Sequence, residues 1–278
     1  MNPLISVAEL AAISDTNLVI VDCRHQLSDT AWGRNAYAAG HIPGAAFLHL
    51  DDDLSGPMTG KNGRHPLPDP QRLAQKLGSL GIHNGSHVVA YDDPAGVPGA
   101  ARLWWLLGWL GHPKVQVLEG GFAAWVAAGQ AVSTAAPQTR PATFVANVQA
   151  ERVVSADQVL ANLQTKEFLL VDARGAERFR GIGETLDPVG GHIPGAANRF
   201  FQLNLENGLF KNAETLRNEW AVILGDRPVE QVVHQCGSGV TACHNLLALA
   251  SAGMDGGRLY AGSWSEWCAD PARPVSCD

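Results

Sequence analysis

Cysteine, charge and long apolar runs are all scarce in this chain, and each scarcity excludes a class of protein. The five cysteines are odd in number and form no C-x-x-C pair, which argues against a disulfide framework or a zinc knuckle and favours a reducing compartment. Charged residues make up 17% of the chain and the net charge is -7, so we expect no nucleic-acid partner and no anionic-membrane partner. The cysteines are Cys23, Cys236, Cys243, Cys268 and Cys277.

Membrane and export signals are missing as well. The most apolar segment, Leu103 to Leu110, is too short to span a bilayer, and the first residues lack the basic stretch of a signal peptide. We therefore expect a cytoplasmic protein. A length of 278 residues suits about two domains of ordinary size.

The chain contains an internal repeat. V-D-C-R at 21–24 recurs as V-D-A-R at 171–174, and G-H-I-P-G-A-A at 40–46 recurs at 191–197. G-G-F-A-A-W at 120–125 similarly pairs with G-S-W-S-E-W at 262–267. Two copies of one domain follow, at residues 1–135 and 151–278. Residues 136–150 between them have the Thr/Ala/Pro-rich composition of a linker.

Each copy alternates short apolar runs with helical patterns. Runs such as L-V-I-V-D at 18–22 and F-L-L-V-D at 168–172 are continuous rather than alternating, which is typical of strands buried on both faces. The fold class is therefore α/β, with a central parallel sheet in each domain and helices on both faces. Ligands of such sheets bind beyond the carboxyl ends of the strands.

Cys236 occupies such a position in V-V-H-Q-C-G-S-G-V-T-A-C. A strand ends before it, Gly237 and Gly239 permit a tight turn, and a helix begins near Val240. Loop and first-turn N–H groups would converge on the sulfur, and the helix dipole would favour its ionised form. The sequence thus predicts a nucleophilic thiolate in a loop that can also hold an anion on the sulfur.

The repeat separates residues that serve the fold from residues that serve chemistry. Asp22 with Arg24 and Asp172 with Arg174 occur in both halves, so we interpret them as structural pairs at strand ends. His41 and His192 are duplicated in the same way and are expected to pack within their turns. The thiol has no duplicate, because aligning Gly239 with Gly96 places Asp93 opposite Cys236 and Pro94 opposite Gly237. The first domain is therefore expected to be catalytically inactive.

Arginines that occur in one half only are candidate anion clamps. Arg178 and Arg180 in R-F-R-G have no counterpart between Arg24 and Gly40. A guanidinium can grip an anionic substrate with two hydrogen bonds, and we favour Arg178 over Arg180.

These residues together resemble a known family. Two G-H-I-P-G-A domains, a single loop cysteine in the second domain, and C-G-S-G-V-T-A are similar to the tandem-domain rhodanese-like sulfurtransferases. The sequence C-G-S-G-V-T is similar to the 3-mercaptopyruvate branch of that family, and the thiosulfate branch usually has charged residues after the cysteine. The likeness extends over essentially the whole chain, including the closing E-W-C-A-D-P-A-R-P-V.

The resemblance implies a double-displacement reaction. The Cys236 thiolate would take a sulfane sulfur from 3-mercaptopyruvate or thiosulfate as a persulfide. It would then pass the sulfur to cyanide, a thiol or a thioredoxin-like reductant. The persulfide would be held by the N–H groups of residues 237 to 241, namely Gly237, Ser238, Gly239, Val240 and Thr241. No cofactor and no metal ion are implied.

The resemblance also assigns further site residues. Ser238 would work with His65, in G-R-H-P-L-P, and with an aspartate of the triplet at 51–53, for which Asp51 is the candidate. Arg178 matches the first substrate arginine of the family. The second belongs to an insert that is shorter here and carries Asp187-Pro188 without an arginine, which keeps both donors open.

Two other functions compete with this one. Phosphatases of a related fold place an arginine six positions after the cysteine, and Ala242 stands there, which argues against phosphate-ester hydrolysis. A sulfur-carrier module that accepts a persulfide and hands it to a partner protein would need the same loop, so it stays as the alternative.

Overall fold

The structure is a computed structural model that describes residues 1–93 and 98–278, which cluster into two compact units. The N-terminal unit contains residues 1–56 and 68–149, and the C-terminal unit contains residues 57–67 and 150–278. Chain order places 57–67 in the predicted first domain, but this segment belongs to the C-terminal unit. One reason is the Arg64 N–H, which donates to Ser265 Oγ at 3.0 Å.

The N-terminal unit has a five-stranded sheet in the order β1-β5-β4-β2-β3, and every neighbouring pair is parallel. The strands are β1 (Leu4–Ile5), β2 (Leu18–Asp22), β3 (Ala46–Phe47), β4 (His87–Tyr91) and β5 (Val115–Leu118). The helices are α1 (Val7–Ala12), α2 (Trp32–Ala39), α3 (Pro70–Ser79), α4 (Gly99–Trp109) and α5 (Gly121–Ala127).

The C-terminal unit has a four-stranded parallel sheet in the order β11-β10-β6-β7, together with an antiparallel hairpin. Its strands are β6 (Leu169–Asp172), β7 (Ala197–Asn198), β8 (Leu205–Glu206), β9 (Leu209–Phe210), β10 (Val232–Gln235) and β11 (Arg258–Leu259). Its helices are α6 (Ala156–Thr165), α7 (Ala176–Phe179), α8 (Ala213–Leu224), α9 (Thr241–Ser251) and α10 (Ser263–Trp267).

Capping side chains fix where several helices begin. Ser6 and Ser155 each accept the N–H of the third helical residue, whose own Glu or Gln side chain returns to the cap. Asp69 caps α3 and is followed by Pro70, whose missing N–H costs nothing at a first helical position. In these three helices, the polar residue before the first turn therefore defines the helix start.

Strand β10 runs through the middle of the C-terminal core. Val233 packs on one face of the sheet with Trp264 and Trp267, and Val232 packs on the other with Trp220 and Leu249. Neighbouring residues of a strand point to opposite faces, so a strand with helices on both sides must be apolar throughout. The predicted α/β fold with a central parallel sheet is confirmed in both units.

The duplicated polar residues serve the fold, as the repeat predicts. The Arg24 guanidinium donates to both oxygens of Asp22 at 2.6 to 3.1 Å and to the Gly40 carbonyl. Arg174 repeats this arrangement with Asp172 and Gly191.

The duplicated histidines pack within their turns. His41 stacks on Tyr37, and His192 stacks on Phe179 at a ring separation of 3.7 Å. Within the residues that the structure describes, no helix has the length and apolar character needed to cross a bilayer.

Candidate active site

The candidate site is the loop 236–240 between β10 and α9. Gly239 has a φ of +80°, and a Cβ at that position would lie 2.3 Å from the carbonyl oxygen of Ala261. A side chain is therefore excluded twice, by the left-handed backbone and by the close approach of another chain segment. This glycine allows the chain to curl back over the preceding cysteine before the helix starts.

The Cys236 sulfur lies inside that curl. Its residue is 2% exposed, and Sγ accepts the N–H of Gly239 at 3.1 Å and that of Ser238 at 3.5 Å. Among the described hydrogen bonds, none joins the N–H of Gly237, Val240 or Thr241 to the sulfur. Two oriented N–H groups stabilise negative charge on the sulfur, which is what a thiolate or a persulfide needs.

The backbone of the cysteine is held by the segment that begins α10. The Cys236 N–H donates to Ser263 Oγ at 3.1 Å, and its carbonyl accepts the Trp264 N–H at 3.0 Å. Ser263 adopts a φ of +55°, an uncommon conformation for a residue with a side chain. Sequence reasoning missed Ser263 and Ser265, although the repeat carries a signal for them, since G-G-F-A in the first half has no serine at either position.

Ser238 and His65 lie together in the C-terminal unit. The ring Nδ1 of His65 is 2.7 Å from Ser238 Oγ, and both residues are buried. A histidine paired with a hydroxyl can hold or move a proton next to the sulfur. Sequence separation between the two is 173 residues, so only the fold brings them together.

Asp51 lies in the N-terminal unit beside two histidines. Its carboxylate is 3.8 Å from His25 Nε2 and 4.0 Å from His49 Nδ1, and the three residues offer atoms that lie within 4.8 Å of one another. The His49 ring is already committed, because Nε2 bonds the Thr30 carbonyl and Nδ1 accepts the N–H groups of Asp51 and Asp52. We therefore interpret these three residues as part of a hydrogen-bonded turn and not as a metal site.

Two guanidinium groups reach the residue that follows the cysteine. A Cβ on Gly237 would lie 2.9 Å from Nη2 of Arg64 and 3.7 Å from both terminal nitrogens of Arg178. Arg178 was expected here from the sequence, and the neighbouring Arg180 is exposed. Arg64 was not expected, because it belongs to a loop without regular structure and its contacts are distant in the chain.

Each guanidinium is backed by a buried carboxylate. Arg178 donates to Glu184 from Nε and Nη2 at 2.8 to 3.0 Å, and Arg64 is paired with Asp187. Asp187 also lies 3.4 Å from Arg178 Nη2, so it is shared by both arginines. The side chains of Glu184 and Asp187 are 4% and 3% exposed, whereas those of Arg64 and Arg178 are 28% and 30% exposed.

The two carboxyl groups respond to their surroundings in opposite directions. Burial raises the pKa of Asp187, an effect that the positive charge of Arg64 only partly offsets. Burial also acts on Glu184, but the Leu186 N–H and the Arg178 guanidinium outweigh it and lower the pKa of that carboxyl.

Strand register corrects the expected match between the two halves. Gln235 and Tyr91 occupy the same place in their sheets, opposite Asp172 and Asp22 respectively, so the residue that corresponds to Cys236 is Asp92 rather than Asp93. The alignment on Gly96 is off because seven residues separate β4 from α4 and five separate β10 from α9. A carboxylate still replaces the thiol, and burial raises the pKa of Asp92 to about 7. The part of that alignment on Pro94 and Gly96 lies outside the described residues.

A family comparison matches both units. The model of the rhodanese-like domain matches residues 6–128 and residues 155–270. The chain therefore belongs to the rhodanese-like family, with two copies of its domain in tandem.

The relatives define the class more narrowly. A probable 3-mercaptopyruvate sulfurtransferase of Pseudomonas aeruginosa is 48% identical over 277 residues, which cover 98% of this chain and 97% of that protein. A putative thiosulfate sulfurtransferase of Mycobacterium tuberculosis is 39% identical over 281 residues, with 98% and 96% covered. The predicted assignment to the tandem rhodanese-like sulfurtransferases is confirmed, and the chain is an enzyme of that class.

Solved structures agree with this. A 3-mercaptopyruvate sulfotransferase from Escherichia coli superposes with a TM-score of 0.80 at 31% identity, covering 95% of this chain and 99% of that one. A 3-mercaptopyruvate sulfurtransferase from Leishmania major gives a TM-score of 0.82 at 28% identity, covering 96% of this chain and 75% of the other.

Proposed function

We propose that Cys236 is the sulfur-carrying nucleophile of this sulfurtransferase, with 3-mercaptopyruvate or thiosulfate as donor. The observation that carries the proposal is the convergence of two N–H groups on Sγ, with two partly exposed guanidiniums beside the next residue. The N–H groups suit a charged sulfur, and the guanidiniums suit the anionic part of a donor.

In the first half-reaction, the Cys236 thiolate attacks the transferable sulfur of the donor. With thiosulfate, a new S–S bond forms at the cysteine while the donor S–S bond breaks, and sulfite leaves with the electron pair. With 3-mercaptopyruvate, the C–S bond breaks, and the pyruvate enolate leaves and takes up a proton. In both cases Cys236 becomes a persulfide, so neither route needs an outside oxidant.

Ser238 and His65 are proposed to handle that proton. The hydroxyl lies in the sulfur loop and the ring is within hydrogen-bonding distance of it, so a proton can be delivered to the departing enolate. Asp51 is proposed as the carboxylate that orients His65, by resemblance to the 3-mercaptopyruvate enzymes. Thiosulfate needs no proton at its leaving group, and its turnover should therefore depend less on this pair.

In the second half-reaction, a thiophilic acceptor attacks the outer persulfide sulfur. Cyanide becomes thiocyanate and a thiol becomes a persulfide, and the Cys236 thiolate is the leaving group in both cases. Where a second thiol then attacks the acceptor's persulfide, a disulfide forms and hydrosulfide leaves. A thioredoxin-like protein is the acceptor we propose in the cell. All five cysteines are free, which fits the reducing cytoplasm proposed for this enzyme.

The first domain is proposed to carry no sulfur. Asp92 stands where the second domain has its thiol, and a carboxylate cannot form the same adduct. The non-enzymatic alternative, a carrier that passes sulfur only to one partner protein, is separated from the enzyme by turnover with small molecules.

The test is the steady-state rate with each donor and cyanide as acceptor, for the native protein and for Cys236→Ser. We expect sustained turnover with at least one donor and its loss in the variant. Sulfur transfer that survives in Cys236→Ser would overturn the assignment. A single stoichiometric transfer without turnover would favour the carrier.

A further inference from the structure

Beside the sulfur loop, two arginines and two carboxylates form a cluster of charged side chains. Arg64 and Arg178 stand beside Gly237, one from the segment 57–67 and one from α7. In Arg178, Nε and Nη2 hold the two carboxylates, and no residue that the structure describes accepts a hydrogen bond from Nη1. The Arg64 side chain is 28% exposed to solvent and the Arg178 side chain is 30% exposed. Both cations can therefore contact a ligand while remaining anchored.

The two carboxylates that anchor the arginines also neutralise their positive charge. Glu184 and Asp187 are almost fully buried, and Asp187 touches both guanidiniums. The nearby Arg174 pairs with Asp172 at 2.7 Å and also lies 3.8 Å from Glu184, so the three arginines are balanced by three carboxylates. The arginine pair thus offers directed N–H donors with a net charge near zero, and the thiolate of Cys236, the residue before Gly237, adds one negative charge.

Such a site treats donors of different charge unequally. Hydrogen bonds from the two guanidiniums are available to a carboxylate and to a sulfonate end alike. A second negative charge on the donor gains little from a pair that is already neutralised and is repelled by the buried carboxylates and the thiolate. The balance favours a donor with one charge.

We propose that Arg64 is a second donor-binding residue and that Asp187, shared between Arg64 and Arg178, makes the site select a singly charged 2-oxo-acid thiol over the thiosulfate dianion. The sequence position where the family resemblance implied a second arginine carries Asp187, and the structure connects that carboxylate to an arginine from another segment. Arg64 thus occupies the role left open there. This inference rests on the proposed function of Cys236.

The test compares kcat/KM for 3-mercaptopyruvate and thiosulfate in Asp187→Asn and Asp187→Glu. Removing the charge should raise the thiosulfate-to-mercaptopyruvate ratio by about tenfold, because the dianion gains twice the attraction of the monoanion. Asp187→Glu keeps the charge and should keep the native ratio. An unchanged ratio in Asp187→Asn, or an equal shift in both variants, would overturn the role of Asp187.

Arg64 is tested separately, since its side chain is partly exposed and Asp187 keeps Arg178 as a partner when Arg64 is removed. Arg64→Ala should raise the KM for 3-mercaptopyruvate by about tenfold or more, with partial recovery in Arg64→Lys. Arg180→Ala, an exposed arginine two residues after Arg178, is the matched control and should stay within twofold of the native KM by the small effect expected of surface changes. An unchanged KM in Arg64→Ala would refute its role.

Failure of this inference is distinguishable from failure of the proposed function. The donor ratio is measured in proteins that turn over, so it reports only on the charge arrangement. Loss of the Cys236 assignment would instead show as sulfur transfer by Cys236→Ser, whatever the ratio. Thermal unfolding of each variant confirms that the compared proteins are folded.

Discussion

Gly239→Ala tests the sulfur loop most sharply, because the helix that follows has a second left-handed glycine at its other end. Gly239 and Gly253 flank α9 and have φ values of +80° and +78°. A Cβ at Gly239 would lie 2.3 Å from the Ala261 carbonyl oxygen, whereas a Cβ at Gly253 would meet nothing within 4 Å. The two substitutions share the backbone strain and differ in the clash.

The expected magnitudes follow from that difference. Alanine in the left-handed region costs about 1 to 2 kcal/mol, so Gly253→Ala should lower the free energy of unfolding by that amount and leave activity unchanged. In Gly239→Ala the peptide must also move by roughly 1 Å to escape the clash, which displaces the N–H that lies 3.1 Å from Sγ. Losing one such donor to a developing anion lowers kcat by about 100-fold or more.

The assay is kcat for sulfur transfer to cyanide, with urea unfolding on the same preparations. Gly239→Ala should lose activity far beyond its loss of stability, and Gly253→Ala should lose stability alone. Nearly native activity in Gly239→Ala, or an equal loss of activity in both variants, would refute the role of this loop.

Three further predictions concern the surroundings of the loop. Gly237→Ala places a Cβ 2.9 Å from Arg64 Nη2, so it should raise the donor KM several-fold while stability changes by less than about 1 kcal/mol, since a flexible side chain can yield; an unchanged KM would contradict the arginine contact. Ser263→Ala leaves the buried Cys236 N–H without its acceptor and should lower the free energy of unfolding by about 1 to 3 kcal/mol. Ser263→Gly loses the same acceptor but suits the φ of +55°, so urea unfolding should find it about 1 kcal/mol more stable than Ser263→Ala. Asp92 has a pKa raised to about 7, so its folded form favours the proton and loses stability as pH rises through 7. Asp92→Asn should therefore gain roughly 4 kcal/mol over the native protein at pH 8 and little near pH 4, and a gain that is equal at both pH values would contradict this.

Strong local patterns made much of the fold predictable. The continuous apolar run L-V-I-V-D gave β2 (Leu18–Asp22) with both ends correct, because a strand covered on two faces has no polar alternation to blur it. Helix α2 (Trp32–Ala39) was not predicted, since W-G-R-N-A-Y-A-A contains Gly33 and follows Ala31, which offers no capping side chain. The hairpin β8–β9 was missed although Asn207-Gly208 is a turn signal, because each strand is only two residues long.

The site divides in the same way. The sulfur loop is local in sequence, so a strand, two glycines and a helix were enough to locate it. Arg64 and Asp187, which are in contact, are 123 residues apart in the sequence. Neither residue lies on a helix or strand with a recognisable pattern, so no local signal in the sequence pairs them. The register error that matched Asp93 rather than Asp92 to Cys236 arose because an unequal loop length is invisible to an ungapped comparison.

The central claim is that Cys236 carries the sulfur, and the direct measurement is the mass of the protein after a donor is added without an acceptor. Peptide mass spectrometry with a persulfide-trapping alkylator should find one added sulfur atom on the peptide that contains Cys236, and cyanide should remove it. An unmodified Cys236 in an enzyme that is turning over, or the added sulfur on the exposed Cys277 instead, would contradict the account.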